Sequence, residues 1–204
     1  MTLPKKQTAL SFYGVGLLVA GLEEFITQGV LKHSYGGWIL PTILAFLPFL
    51  VAVRFLDKIL SRRLSEPGAI LIYYLAAGSL GLLFEWFMMG LAPWSNPQAP
   101  LLAMVVFQLG MFSFWGGVAL APRLLLDARA VVSRVRNSCR LFLIFGMAII
   151  YLVAFAAPQE ARFLATIASV LITFLALNFF YFQYVQAVRK PADGGAMVPM
   201  MNDE

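Results

Sequence analysis

Two short stretches place carboxylates where the chain is otherwise apolar enough to sit in lipid. The first is Gly21-Leu22-Glu23-Glu24-Phe25-Ile26-Thr27-Gln28-Gly29 and the second Glu85-Trp86-Phe87-Met88-Met89-Gly90; both contain glutamate, an aromatic residue, three further residues and glycine. A carboxylate in such a setting is costly unless it faces a bundle interior, where it binds a proton or cation or ties helices together through a basic partner. Around the two motifs the sequence supplies Phe25, Tyr35, Trp38, Trp86, Phe87 and Trp94. Ring faces attract ammonium groups, and a desolvated glutamate gives the counter-charge. The same rings also suit an interfacial belt that anchors helix ends. The substrate-binding set expected from these residues is Glu24, Glu85, Gln28, Trp86, Trp94 and Tyr35. Ion pairing of Glu24 or Glu85 with Lys32 or Arg162 is the competing, purely structural use.

Other chemistry is poorly served. Glu23, Glu24, Glu85 and His33 are weak candidates for metal ligands, because the step from Glu24 to His33 leaves the helix and nothing else is spaced as a ligand set; no metal is expected. His33 is the single histidine, which excludes bis-histidine haem within one chain, and no cofactor is expected. There is no nucleophile elbow or phosphate-binding glycine loop, so no catalytic residue is assigned. Ser113, beside Phe114-Trp115-Gly116-Gly117, reads as a helix-packing site. Glu23-Glu24 followed by Gln28-Gly29 resembles the paired-glutamate motif of the membrane-embedded CAAX-type prenyl proteases, in which arginine and then glycine follow the pair. Gln28 stands where that arginine would be and the downstream histidine motifs are absent, so the resemblance implies no protease activity.

The elements that must position these residues are membrane helices. Of 204 residues, 61% are hydrophobic and 12% charged, about half the charge of a typical soluble domain. Each crossing needs about 20 apolar residues, and hydropathy places six: Ala9 to Leu31, Trp38 to Leu60, Gly68 to Leu91, Leu101 to Ala121, Leu141 to Ala157 and Ala161 to Gln186. The expected fold is an all-α integral membrane protein, with residues 1–190 forming one six-helix transmembrane domain and 191–204 a disordered cytoplasmic tail. Pro48 is expected to kink the second helix, and Arg54 and Asp57 to pair on one of its faces. Gly14, Gly16, Ala20 and Gly21 allow close helix approach.

Charge gives the orientation. With six crossings, Lys32 and Arg162 fall on one side and every other lysine and arginine on the opposite side, so both termini are expected in the cytoplasm, beneath a plasma (inner) membrane. In Arg123 to Arg140, arginines alternate with Leu, Val and Ala, the pattern of a helix lying on anionic lipid headgroups. The net charge of +5 is thus a topology signal, with no nucleic-acid partner. Cys139 is the lone cysteine and forms no intrachain disulfide.

Helices 1 and 3 both run outward, and Glu24 and Glu85 lie about 22 and 25 Å along them, at similar depth in the outer third. Glu24 with Pro41 and Glu85 with Pro100 hint at a parallel repeat of two-helix hairpins. The function expected is binding or transport of a cation or small cationic substrate through outward-facing glutamates. A non-catalytic subunit or assembly factor of a larger membrane complex is the alternative, with homo-oligomerisation open, and a lipid- or quinone-modifying enzyme comes third.

Overall fold

The computed structural model describes residues 7–25, 28, 36–95, 97–98 and 100–189. The helices are α1 (Gln7–Glu24), α2 (Ile39–Arg63), α3 (Glu66–Met88), α4 (Leu101–Leu126), α5 (Ser133–Leu141), α6 (Met147–Ala156) and α7 (Gln159–Arg189), with single 3-10 turns at Pro93–Ser95 and Ala130–Val132. No strand occurs among the described residues. A π turn at Phe142–Gly146 joins α5 to α6 with helical backbone throughout, so the described helices form six rods. The expected tail lies outside the described residues.

Four stretches are long and apolar enough to cross a membrane: Glu66–Ser95, Met104–Leu126, Ala130–Ala156 and Leu171–Arg189. α2 carries Arg54, Asp57 and Lys58 in its last third, and α1 ends on Glu23 and Glu24. Outward-facing Leu44, Val51 and Phe55 on α2, and Ile149, Leu152 and Val153 on α6, are exposed. An apolar surface of this extent suits contact with a lipid bilayer.

Glycine and aromatic side chains build the core. Phe112 of α4 lies over Gly78 of α3 and Trp115 over Gly81, while Tyr74 of α3 lies over Gly116 and Tyr181 of α7 over Gly117. Each glycine removes the Cβ that would hold the helices apart, so rings fill the space between backbones. The buried hydroxyls end on carbonyls: Tyr73 donates to Ala119 O at 3.1 Å and Tyr181 to Gly117 O at 3.0 Å. Gly16 of α1 takes Leu50 of α2 in the same way, whereas Gly14 is exposed with open space beside it.

Helix ends differ from the hydropathy boundaries for local reasons. α2 continues through Pro48 without a break in helix. α3 starts earlier, at Glu66, where Pro67 occupies the first turn and lacks only a donor that would be orphaned anyway. It stops at Met88 because Gly90 adopts φ 69°, a left-handed conformation that glycine tolerates. The Leu91 N–H can then turn back onto Glu85 O at 3.1 Å, beside the Met89 N–H at 3.2 Å. In the second carboxylate motif, the terminal glycine is therefore a helix stop placed five residues beyond the acid.

α4 runs five residues past its expected end, through Pro122 and Arg123. The basic segment after it includes α5, which runs on through the π turn into α6, and Arg129, Arg136 and Arg140 bond acceptors at the end of α4.

Candidate functional site

Glu85 lies in the last turn of α3, on the face packed against α4, and is buried with 7% exposure. Its Oε1 accepts a hydrogen bond from Trp115 Nε1 at 3.0 Å. The glycine at 81 lets this contact form, because one turn before Glu85 the indole lies directly on the α3 backbone. Trp115 is itself fixed by rings from two other helices: Phe46 stacks on it at 4.5 Å, Phe49 meets it edge-on at 4.6 Å and Phe84 lies at 5.5 Å. No basic side chain pairs with Glu85 among the described residues.

The neighbouring charge is another carboxylate. Glu24, at the end of α1, is close enough for its charge to act on Glu85. The two glutamates singled out in the sequence are thus within electrostatic reach of each other. Glu23 is turned about 100° around α1 from Glu24, and its charge reaches as far as Tyr151 of α6. Thr173 and Ser169 are buried; their hydroxyls bond Ser169 O at 2.9 Å and Ala165 O at 2.8 Å.

Comparison of the chain with family models, curated proteins and solved structures found no match. The geometry is the whole basis for a functional reading.

The other expected residues divide. Trp86 turns to Gln108, donating to its Oε1 at 2.7 Å, and packs edge-on against Trp94 at 5.4 Å. Gln108 in turn donates to Leu91 O at 3.0 Å. This pair lies beside an apolar groove of about 240 Å³ lined by Leu82, Pro93, Met104, Val105, Gln108, Leu109 and Phe112. It is one step removed from the carboxylates, since Gln108 and Trp115 are about 10 Å apart along α4. Gln28 is half-buried; Tyr35 and His33 lie outside the described residues. No group of three or more potential metal ligands occurs among the described residues.

Sequence reasoning missed Trp115 as the partner of Glu85, with Phe46 and Phe49 packed on its indole, and Trp38 in a second respect. Trp38 packs on Gly21 and edge-on to Phe25 at 5.8 Å, and its indole N–H is covered by protein with no acceptor among the described residues. The order Ser113-Phe114-Trp115-Gly116-Gly117 was a signal for close packing, and it is one. Nothing in the sequence says that the tryptophan in it meets a carboxylate.

A second polar cluster closes the opposite end of the bundle. Arg123 of α4 bonds Asp57 of α2 and lies 3.9 Å from Glu66 of α3. Arg129 grips Glu66 with both terminal nitrogens, at 2.7 and 2.8 Å, while its backbone N–H and Nε donate to Asp127. Tyr184 of α7 donates to Asp127 at 3.0 Å. Arg136 bonds Asp127 O and Arg140 bonds Leu125 O, satisfying carbonyls that the end of α4 leaves without helical donors. Asp57 thus pairs across helices with Arg123; Arg54 instead lies over the rings of Phe12 and Tyr13. Burial pushes the Asp127 carboxyl up, but hydrogen bonds from Arg129 and Tyr184 outweigh it and hold the group below the usual carboxylate range.

Proposed function

We propose that Glu24 and Glu85 form one binding site that exchanges a proton for a small organic ammonium ion, in a transporter that crosses a plasma (inner) membrane six times with both termini cytoplasmic. The observation that carries this reading is Glu85: a buried carboxylate whose polar partner is a neutral indole N–H and whose charged neighbour is a second carboxylate. A buried carboxylate beside a second negative charge is favoured to hold a proton or a cation, since like charges repel more strongly away from water. The Trp115 indole bonded to the acid, packed in turn by Phe46 and Phe49, gives it an apolar aromatic setting, which favours an organic cation over a hydrated metal ion.

Six crossings are supported by the outward-facing apolar surface of α2 and by the packing of α1 against α2 and α4. The cytoplasmic placement of the termini rests on the charge asymmetry alone. Gln28, Trp86, Trp94 and Tyr35 would then belong to the approach to the site, at the outer end of the helices.

Thermal unfolding in mild detergent tests the site with ethylammonium and tetramethylammonium as probes. Ligand at about 100 times its dissociation constant stabilises by about 2.7 kcal/mol, or about 5–10 °C in a protein of this size. Wild type is expected to show that shift and Glu24→Gln and Glu85→Gln to lose it. In weakly buffered solution the same probes should release a proton from wild type and none from Glu85→Gln. Equal stabilisation of all three proteins, or of none, would sink the proposal.

A further inference from the structure

Anionic lipid is expected from the sequence at Arg123 to Arg140, yet four arginines there are committed inward. Arg123 and Arg129 bond carboxylates, and Arg136 and Arg140 bond carbonyls at the end of α4. Arg134 remains exposed there, but the cluster of uncommitted charge at this end is on α2. Lys58, Arg62 and Arg63 are exposed and form no ion pair among the described residues.

Lys58 and Arg62 are one turn apart and so share a face. Val51 and Phe55, each seven residues earlier, share that face as well, and they are 51% and 67% exposed. The helix therefore presents two apolar side chains toward the middle of the membrane, followed about 10 Å along the axis by two cations. Arg54 borders this face on the α1 side. Its guanidinium lies 5.6 Å from the Phe12 ring centre and 5.1 Å from that of Tyr13, and its Nη1 has no acceptor among the described residues. The acid between them, Asp57, is bonded to Arg123, so its charge is already compensated.

We infer that this face of α2 is a docking surface for an anionic phospholipid, with an acyl chain along Val51 and Phe55 and the phosphate between Lys58 and Arg62. The order of apolar contact and then paired positive charge matches the order of chain and headgroup in the inner leaflet. Arg62 and Lys58 act as hydrogen-bond donors to phosphate oxygens as well as charges.

Native mass spectrometry of the full chain in mild detergent, with equal amounts of dioleoylphosphatidylglycerol and dioleoylphosphatidylcholine, tests this. Each basic residue near an anionic surface favours binding by about fivefold, so wild type should retain the anionic lipid over the neutral one by about tenfold or more. Lys58→Gln/Arg62→Gln should abolish the preference, Lys58→Arg/Arg62→Lys should keep it, and Arg134→Gln should leave it unchanged. A preference that survives in the first variant, or is lost equally in Arg134→Gln, overturns the inference. So does displacement of the lipid by an equal concentration of inorganic phosphate, which would mark a site for free anions. Unfolding temperatures near wild type show that each variant is folded.

Discussion

Gly81→Ala is expected to destabilise the protein by about 3 kcal/mol or more, an overpacking cost at the upper end of those seen in cores. The added methyl would fall on Cβ and Cγ of Trp115, well inside contact distance. Trp115 cannot retreat, because Phe46, Phe49, Phe84 and Phe114 close its other sides and it is 1% exposed. Any escape breaks its hydrogen bond to Glu85, which leaves a buried carboxylate without its donor and adds about 1–3 kcal/mol. The same change at Gly14, where nothing lies within 4 Å, should be stabilising by about 0.5–1 kcal/mol through helix propensity. Unfolding in detergent at one pH, with both variants beside wild type, reads the difference. Equal effects at the two glycines would mean that Trp115 does not occupy the surface of α3.

That contrast shows how much of the site was legible in the sequence. A carboxylate in an apolar run must be held by something, so Glu24 and Glu85 stood out from chemistry alone, and Glu85 is held by an indole N–H. Glycines near the middle of α3 and α4 marked close approach. Which ring enters which gap depends on the relative rotation of two helices, and one residue's rotation exchanges Trp115 for a neighbour. For this reason Trp86, adjacent in sequence to Glu85, was expected in the site and instead bonds Gln108, while Trp115, 30 residues away in sequence, bonds the acid.

The basic segment has bonds that its periodicity did not announce. Alternating arginine and aliphatic residues fit a surface helix, but periodicity does not count acceptors. Asp127 and Glu66 are acids in a strongly basic neighbourhood, and α4 ends with carbonyls that need donors. Those two facts, both visible in the sequence once the helix end is known, explain why Arg129, Arg136 and Arg140 turn inward. The helix end itself was misplaced because Pro122 and Arg123 look like a boundary, although proline only removes one hydrogen bond and α4 continues past it.

The polar cluster around Asp127 also carries the strongest expected pH dependence. Asp127 joins the end of α4 to Arg129 and to Tyr184 of α7, and through Arg129 to Glu66 of α3. Asp127→Asn keeps the shape but removes the charge that Arg129 and Tyr184 address, at a cost of about 3 kcal/mol near neutral pH. Because the folded protein holds this carboxyl below its usual range, its ionised form stabilises the fold. That contribution is complete above the unfolded value, near pH 4, and is lost as pH falls through the lower folded value. Wild type should therefore unfold about 5–10 °C above Asp127→Asn at neutral pH, with the gap narrowing only below about pH 4. Subtracting the variant from wild type removes the titration of the other carboxylates, which the two proteins share. A gap that stays constant down to about pH 2.5 would show that the ionised carboxylate is not what Arg129 and Tyr184 hold.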